Sequence, residues 1–364
     1  MSALVATDAA AVQEAVREGA PLLPVAGRTL TATHPEPGGA LGALDVSGLT
    51  GVVDYDPAEL TFTARAGTPL AEIDAMLAAN GQHLPFDPPL LGDRPTLGGA
   101  VAAGVTGPNG FAAGIRDFVI GVRFVDGSGR LAMGGGKVVK NAAGFDLPKL
   151  MVGSLGRLGV ITELSLKVFP RPEATATVRF PIAGLRNGLA AIADVARGPI
   201  PVTALDLDPR GAVTARIGGS AELIAARAER LARSLEPLGE LVSDETAEAA
   251  HWEEARRFAW VAPDARLAVV PLPPRRLLAL DADLERRGVE RRYGLAANVA
   301  WVGWPVAEPV AGLGELLAAH ALSGVVLTGP PLPEPLIGAA TGGAFARRIA
   351  AALDPHAVFA GGPR

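Results

Sequence analysis

The sequence contains no cysteine, which removes several kinds of chemistry at once. Disulfide bonds, thiolate zinc sites, a cysteine nucleophile and a cysteine-linked prosthetic group are all excluded. An iron–sulfur cluster with cysteine ligands is excluded as well, so any such cluster has to belong to another chain.

The chain also lacks concentrated positive charge and long apolar runs. Its 364 residues have a formal net charge of -5, and the arginines are scattered, which argues against nucleic-acid binding. No apolar run approaches the length of a membrane span, and Met1 to Ala11 lack the basic and apolar segments of a signal peptide. We therefore expect a cytoplasmic protein.

What is present is enough apolar sequence for two domains. Hydrophobic residues make up 49% of the chain, and the 45 glycines and 31 prolines lie between periodic segments rather than in low-complexity tracts. The Pro-rich stop at residues 170–172 marks the predicted boundary between residues 1–172 and 173–342, followed by a C-terminal segment, 343–364, that returns to the first domain.

Local patterns in the first half predict alternating helices and strands. A helix is expected over Asp8 to Glu18, and another begins at Thr68-Pro69, where the Thr68 hydroxyl is expected to cap free N–H groups. A hairpin is expected around the turn at residues 126–129.

The second half reads as β-α-β-β with helical crossovers, which predicts helices on one face of an antiparallel sheet. No repeat is visible at a spacing of 20 to 50 residues.

Glycine-rich stretches dominate the first half, but none of them is the G-x-G-x-x-G fingerprint or a Walker loop. A nicotinamide-binding Rossmann domain is therefore not expected. Glycine lets backbone N–H groups converge on a pyrophosphate or a flat aromatic ring system, so several such loops in one domain indicate a large anionic cofactor. The alternative is that these glycines only serve turns.

The order of these motifs resembles one family of flavoproteins. The chain contains, in sequence, the segments Ala66-Gly67-Thr68-Pro69-Leu70, Thr96-Leu97-Gly98-Gly99 with Ala103-Gly104, Arg116 to Gly121, Lys140 to Leu147, Met151 to Gly156 and Leu158 to Glu163. The same order is found in flavoproteins of the vanillyl-alcohol oxidase type, which have a PCMH-type FAD-binding domain. Within that superfamily the chain most resembles the glycolate oxidase FAD-binding subunits.

The resemblance implies an α+β protein with a two-part PCMH-type FAD-binding domain and a smaller, ferredoxin-like α+β cap domain. It implies non-covalent FAD, with one group of residues at the pyrophosphate, one along the phosphates and the flavin, and one on the adenine and ribose side. These groups are Gly27, Arg28 and Thr29; Thr96, Gly98, Gly99, Ala103 and Gly104; and Gly159, Val160 and Ile161.

Some of the residues near the expected cofactor have two possible interpretations. Arg28 stands where the family has part of a glycine pair, and it either pairs with phosphate or is a surface arginine. Lys140 and Asn141 are placed near the flavin by the resemblance, with a capping or turn role as the alternative.

No catalytic base can be named. The histidine cluster of related hydroxy acid dehydrogenases is absent; the five histidines, His34, His83, His251, His320 and His356, are widely separated. Trp252, Arg256 and Arg257 suggest either a carboxylate site beside an aromatic wall or, as the favoured interpretation, an ordinary helix with one solvated face.

The resemblance therefore implies a subunit of a glycolate oxidase-like complex that oxidises glycolate or D-lactate to the 2-oxo acid. A longer catalytic flavoprotein subunit and an iron–sulfur subunit are the expected partners, and any membrane contact is expected only through them. The chain itself would relay electrons or support assembly. The alternatives are a stand-alone FAD-dependent 2-hydroxy acid dehydrogenase and a flavin-free scaffold.

Overall fold

The computed structural model describes residues 4–33, 41–111, 114–136, 145–235, 239–242, 245–340 and 343–359. The helices in these residues are α1 Ala9–Arg17, α2 Leu70–Ala78, α3 Leu97–Ala103, α4 Leu147–Met151, α5 Leu185–Arg197, α6 Ala221–Ala232, α7 Glu245–Arg257, α8 Pro274–Arg286, α9 Val310–Ala319 and α10 Gly343–Leu353. None of these described helices is long and apolar enough to cross a membrane.

The strands form two small and two large groups. They are β1 Leu4–Val5, β2 Leu22–Val25, β3 Gly42–Asp45, β4 Val52–Asp56, β5 Thr61–Arg65, β6 Gln82–His83, β7 Val119–Val125, β8 Leu131–Gly135, β9 Val160–Lys167, β10 Phe169–Pro170, β11 Ala174–Pro181, β12 Ala204–Asp208, β13 Ala212–Gly219, β14 Glu240–Leu241, β15 Ala265–Pro271, β16 Glu290–Gly294, β17 Val299–Pro305, β18 Ser323–Val326 and β19 Leu336–Gly338.

We call residues 1–172, the predicted FAD-binding domain, the FAD region. Its first part is a parallel sheet in the order β1-β3-β2, packed on α1. α1 forms because Asp8 caps it, its carboxylate accepting from the Ala11 N–H at 2.8 Å, and because Val12, Ala15 and Val16 recur on one buried face. The predicted first helix is confirmed.

The second part is a five-stranded antiparallel sheet, β4-β5-β9-β7-β8, covered on one face by α2 and α3. In β5, Phe62 and Ala64 are fully buried, and Thr63 between them is only 5% exposed. The hairpin of β7 and β8 is also confirmed. The expected cap on α2 is wrong: the Thr68 hydroxyl bonds to the N–H of Gly51 at 3.0 Å, and no side chain caps the helix.

The second half builds a nine-stranded sheet in the order β14-β11-β13-β12-β16-β17-β15-β18-β19. Its first half is β-α-β-β-α-β with strand order 4-1-3-2, the ferredoxin-like pattern that the resemblance implied. β15 to β18, with α8 and α9, repeat the same pattern, and the two halves meet where β12 pairs with β16. The repeats begin at Ala174 and Ala265, too far apart for the 20–50 residue search to find.

The chain ends back on the first part. Phe359 forms a parallel bridge with Leu22, and Val358 and Phe359 are buried in the core shared by α1 and β3. Asp354 holds this return, because its carboxylate accepts from the N–H groups of Val358 at 2.9 Å and Phe359 at 2.8 Å. These contacts fit the predicted return of the C-terminal segment.

An apolar cluster joins the cap to the FAD region. Leu91 and Val105, on either side of α3, pack with Phe258, Trp301 and other cap residues, and the rings of Phe258 and Trp301 lie 4.4 Å apart. Burial of this cluster from both sides fixes the cap sheet over the end of α3.

Because Asp354 holds the C-terminal segment against the first sheet, its substitution should lower the stability of the protein. Asp354→Ala removes a charged acceptor from two backbone N–H groups and is expected to lower the free energy of unfolding by about 1–3 kcal/mol. Chemical denaturation measures this change. Asp194→Ala, at a carboxylate whose side chain is 59% exposed beside Arg197, is the control and should change stability by less than about 0.5 kcal/mol. Equal effects from the two variants would contradict the role of Asp354.

Candidate functional site

A cavity lies where the end of β2, the start of α3 and the segment before β9 meet. Its walls are formed by the loop after β2, by the first and last residues of α3, and by the segment that leads into β9. The lining residues are Leu23, Pro24, Val25, Ala26, Gly27, Arg28, Thr29, Leu30, Thr33, Val46, Ala66, Thr96, Gly98, Gly99, Ala102, Ala103, Leu155, Gly156, Gly159 and Ile161.

The loop after β2 offers a row of backbone donors. Among the described residues, none accepts a hydrogen bond from the N–H groups of Gly27, Arg28, Thr29 or Leu30. The loop is held against the segment before α3, because a Cβ at Gly27 would lie 1.9 Å from the carbonyl oxygen of Arg94. Arg28 has a φ of 53°, the left-handed region. Consecutive N–H groups that face one cavity form an anion-binding concavity.

The start of α3 helps to shape the cavity, but its first N–H groups are not free to donate to a ligand. Thr96 caps the helix and accepts from the Gly99 N–H at 3.3 Å, while the Gly98 N–H donates to Ala66 at 2.7 Å. A Cβ at Gly98 would lie 2.7 Å from the Cβ of Ala66, so only glycine allows this approach of α3 to β5. The first N–H groups of α3 are thus used within the protein, and the donors for an anion come from the loop after β2.

The third wall is a segment with unusual backbone geometry. Leu155 and Gly156 have φ values of 52° and 75°, and Gly159 has 151°. A Cβ at Gly159 would lie 2.7 Å from the ring of Phe124, so this segment can follow the sheet only with glycine there. Ile161 then enters β9 with its side chain buried at the cavity.

Arg28 is paired in the structure with a carboxylate of the neighbouring strand. Its Nη2 lies 3.3 Å from Oδ2 of Asp45, whose side chain is only 14% exposed. Burial opposes ionisation of Asp45, but hydrogen bonds from Ser47 and from Arg28 outweigh it and lower the pKa of this carboxyl. Asp45 is therefore a fixed negative charge beside the loop, and Arg28 neutralises it.

Most of the predicted cofactor-binding residues line this one cavity: Gly27, Arg28, Thr29, Thr96, Gly98, Gly99, Ala103, Gly159 and Ile161. Two do not. Gly104 ends α3 in the left-handed conformation against Gly153, and Val160 is buried in the core beside α1. Lys140 and Asn141 lie outside the described residues.

The sequence reasoning missed part of the lining. Pro24, Leu30, Leu155 and Gly156 line the cavity although no role was assigned to them. Leu155 and Gly156 belong to a motif that carried the resemblance, so their glycine-rich context was an available signal. No sequence signal marked Leu30, because an isolated leucine after a loop cannot be distinguished by sequence from a leucine of the core.

Three arginines of the cap are paired with carboxylates of the chain itself, whereas Arg266 is buried and donates from Nη1 to the Pro330 carbonyl at 2.7 Å without a carboxylate partner among the described residues. Arg216 pairs with Glu248 at 2.7 Å, Arg256 pairs with Asp87 at 2.8 Å, and Arg292 pairs with Asp208. The favoured interpretation of α7, a helix with one anchored and one solvated face, fits Trp252, which is 2% exposed, but not Arg256, whose side chain is only 20% exposed and pairs with Asp87. Arg257 fits it, pairing with Glu253.

A buried carboxyl on the cap sheet stands apart from these pairs. Burial raises the pKa of Asp206 to about 7, against the opposing effect of a hydrogen bond from the backbone at Leu295. Its Oδ1 has no hydrogen-bond partner among the described residues, and a Cβ at Gly294 would lie 3.3 Å from this atom and 3.0 Å from Nε1 of Trp301.

The described histidines do not form a catalytic cluster. Burial lowers the pKa of His83 and of His251, and His251 packs edge-on against Trp252 at 4.9 Å. His320 pairs with Asp283 at 2.6 Å on the outer helices of the cap. No group of three or more histidine, aspartate or glutamate side chains suited to a metal ion is found in the described ranges.

Comparison with known proteins supports FAD as the cofactor of this chain. Residues 5–133 match the FAD binding domain family. Glycolate oxidase subunit GlcE of Escherichia coli is 48% identical over 163 residues, which are 44% of this chain and 46% of that protein. Glycolate oxidase subunit GlcD of Bacillus subtilis is 32% identical over 159 residues, 43% of this chain and 34% of that protein.

The chain spans less than half the length of these curated relatives in the matched segments. The solved structure of an alkyldihydroxyacetonephosphate synthase superposes on almost all of the chain, with a TM-score of 0.67, coverage of 97% of this chain and 74% of that one, and 15% identity. At that identity the likeness shows the fold alone.

The pairing of Arg28 with Asp45 predicts a non-additive effect on FAD binding. Arg28→Gly relieves the left-handed backbone but leaves Asp45 unneutralised beside the phosphates, so we expect FAD to bind about tenfold more weakly or worse. The double variant Arg28→Gly with Asp45→Asn should recover most of that loss. Fluorescence titration of the apoprotein with FAD measures each Kd. Wild-type affinity in Arg28→Gly would mean that Arg28 is a surface residue.

Asp206 predicts a specific pH dependence of stability. Between a pKa near 3.8 in the unfolded chain and about 7 in the folded one, the folded state holds a proton that the unfolded state has lost. The free energy of unfolding therefore falls as the pH rises through this window, by up to about 1.4 kcal/mol per pH unit.

Asp206→Asn should remove this contribution, and urea denaturation from pH 4 to pH 7 measures the difference. The exposed Asp264→Asn is the control. An unchanged slope in Asp206→Asn would show that the carboxyl ionises normally.

Proposed function

Because the chain belongs to the superfamily of PCMH-type FAD-binding flavoproteins, we propose that it is the FAD-binding subunit of a glycolate oxidase-like complex. The complex would oxidise glycolate or D-lactate to the 2-oxo acid, and this subunit would relay electrons or support assembly beside a longer catalytic flavoprotein subunit. One observation carries the proposal: residues 5–133, which match the FAD binding domain family, contain most of the cavity lining, and the chain is 48% identical over 163 residues to a glycolate oxidase subunit.

The cavity fits the pyrophosphate of FAD. The N–H groups of residues 27–30 supply donors, and Gly27, Gly98 and Gly159 occupy positions where a Cβ would collide with neighbouring atoms. We assign Gly27, Arg28 and Thr29 to the phosphates, Thr96, Gly98, Gly99 and Ala103 to the adjoining wall, and Gly159 and Ile161 to the remaining wall. FAD supplies the capacity to accept and pass on electrons.

The state of the cap supports a relay or assembly role over independent catalysis. A site for a 2-hydroxy acid needs a cation for the carboxylate and a base for the hydroxyl proton. Among the described arginines of the cap, Arg216, Arg256 and Arg292 are each paired with a carboxylate of the chain itself and are therefore already occupied.

The two alternative functions would make different demands on the residues of this chain. A stand-alone FAD-dependent 2-hydroxy acid dehydrogenase would have to use an atypical base, for which Asp206 is a candidate because its pKa is raised and its Oδ1 has no partner among the described residues. A flavin-free scaffold would leave the glycine contacts of the cavity without a purpose.

The expected partners follow from the same proposal. A longer flavoprotein subunit would oxidise the substrate, and an iron–sulfur subunit would accept electrons, since this chain has no cysteine for a cluster. We propose that the complex is cytoplasmic and contacts a membrane only through those partners.

An absorption spectrum of the purified chain, followed by anaerobic titration with glycolate and with D-lactate, tests the proposal. We expect a bound-flavin spectrum that neither substrate bleaches. Bleaching would establish independent catalysis, and the absence of flavin would favour the scaffold.

A matched pair of glycine variants controls this experiment. Gly27→Ala places a Cβ 1.9 Å from the Arg94 carbonyl oxygen and should abolish the flavin spectrum, whereas Gly312→Ala in α9 has no neighbour closer than 3.5 Å and should retain it. Circular dichroism checks that both variants fold.

A further inference from the structure

Helix α7 carries three polar or aromatic side chains on one face. Glu248, Trp252 and Arg256 are spaced four residues apart, so they align along the helix, and each is largely buried. We call these three residues the α7 clasp. They face two different parts of the chain: the cap sheet, and the segment of the FAD region that contains α3.

One end of the clasp holds the segment before α3. Nε of Arg256 lies 2.8 Å from Oδ1 of Asp87, an ion pair in which the N–H is not aligned as a hydrogen bond. Arg256 also donates from Nη2 to the carbonyl of Pro88 at 3.4 Å, and its own carbonyl accepts from the Leu90 N–H at 3.1 Å. Three contacts thus bind one residue of α7 to residues 87–90.

The other end holds the cap sheet. The carboxylate of Glu248 accepts from Thr175 at 2.7 Å, Thr177 at 3.0 Å and Nε of Arg216 at 2.7 Å. Nε1 of Trp252 donates to Thr177 at 2.8 Å. All groups of this end are therefore satisfied inside the protein, as buried charges require.

Asn109 links the two ends behind α3. Its Oδ1 accepts from Nη1 of Arg216 at 3.1 Å, while its backbone N–H and Nδ2 donate to Oδ2 of Asp87 at 3.0 and 3.1 Å. The polar chain runs from Arg256 through Asp87, Asn109 and Arg216 to Glu248. The segment from residue 87 to residue 109, with α3 in its middle, is thus tied to the cap at both ends.

The backbone at Asp87 has an unusual conformation and is closely packed. Asp87 has a φ of 46°, which is strained for a residue with a side chain, and a Cβ on Gly107 would lie 2.2 Å from its carbonyl oxygen. Between these two points, Thr96, Gly98, Gly99 and Ala103 line the cavity. A shift of Asp87 would therefore move the wall of the cavity that α3 forms, although the clasp does not contact that wall.

We propose that the α7 clasp positions the α3 wall of the FAD cavity and couples the seating of the cap to FAD affinity. This inference rests on the proposed binding of FAD in the cavity. The coupling is reciprocal by thermodynamic linkage: releasing the clasp weakens FAD binding, and FAD binding tightens the clasp. Arg256, Asp87 and Glu248 are positioning residues, since none of them lines the cavity.

The test compares neighbouring arginines of one helix in the full chain. Arg256→Gln breaks the pair with Asp87, Arg256→Lys keeps the charge, and Arg257→Gln removes only an exposed pair with Glu253. We expect the FAD Kd, measured by fluorescence titration, to rise about tenfold in Arg256→Gln, less in Arg256→Lys and not at all in Arg257→Gln.

Hydrogen exchange supplies the reciprocal readout. FAD should slow amide exchange in residues 245–257 of the wild type, although α7 lies outside the cavity lining, and this protection should be lost in Arg256→Gln.

Three outcomes decide the matter. Wild-type FAD affinity in Arg256→Gln with lowered thermal stability would overturn the coupling and leave the clasp as a purely structural contact. Unchanged exchange in α7 on FAD addition would overturn it too. Wild-type protein that binds no FAD would overturn both the proposed function and the coupling, which separates that failure from the failure of the coupling alone.

Discussion

The site depends on close contacts made at glycine positions, where the absence of a side chain lets two segments of the chain approach each other. The loop after β2 reaches the Arg94 carbonyl only because Gly27 has no Cβ, and α3 reaches β5 only because of Gly98. These contacts bring the loop and the helix to the two sides of one cavity, and the N–H groups of residues 27–30, which line it, have no acceptor among the described residues. Any side chain at either glycine would separate the walls.

Around this cavity the chain neutralises its own charges across long sequence distances. Arg28 pairs with Asp45 at the loop, and Arg256 pairs with Asp87 at the cap. The first pair offsets a fixed negative charge beside the position assigned to phosphate. The second holds the cap to the segment that carries α3.

Local sequence signals predicted local structure well. Asp8 and the apolar spacing after it predicted α1, and the turn at residues 126–129 predicted the β7–β8 hairpin. Thr68 shows the limit: a hydroxyl before proline is typical of a cap, but the β-sheet nearby offered the Gly51 N–H instead. The second ferredoxin-like half, from Ala265 onward, shares the topology of the first without a sequence repeat, since sheet pairing constrains polarity and not residue identity.

The sequence by itself determined the cofactor class and nine of the twenty residues that line the cavity, because glycine at a close backbone contact is a requirement that is visible in the sequence as a motif. It also excluded an iron–sulfur cluster on this chain, because there is no cysteine. Only the tertiary structure decided which N–H groups are free, that Arg28 faces Asp45, and that α7 grips Asp87. Those depend on contacts between residues far apart in the chain, and the spacing of residues along a sequence carries no information about such partners.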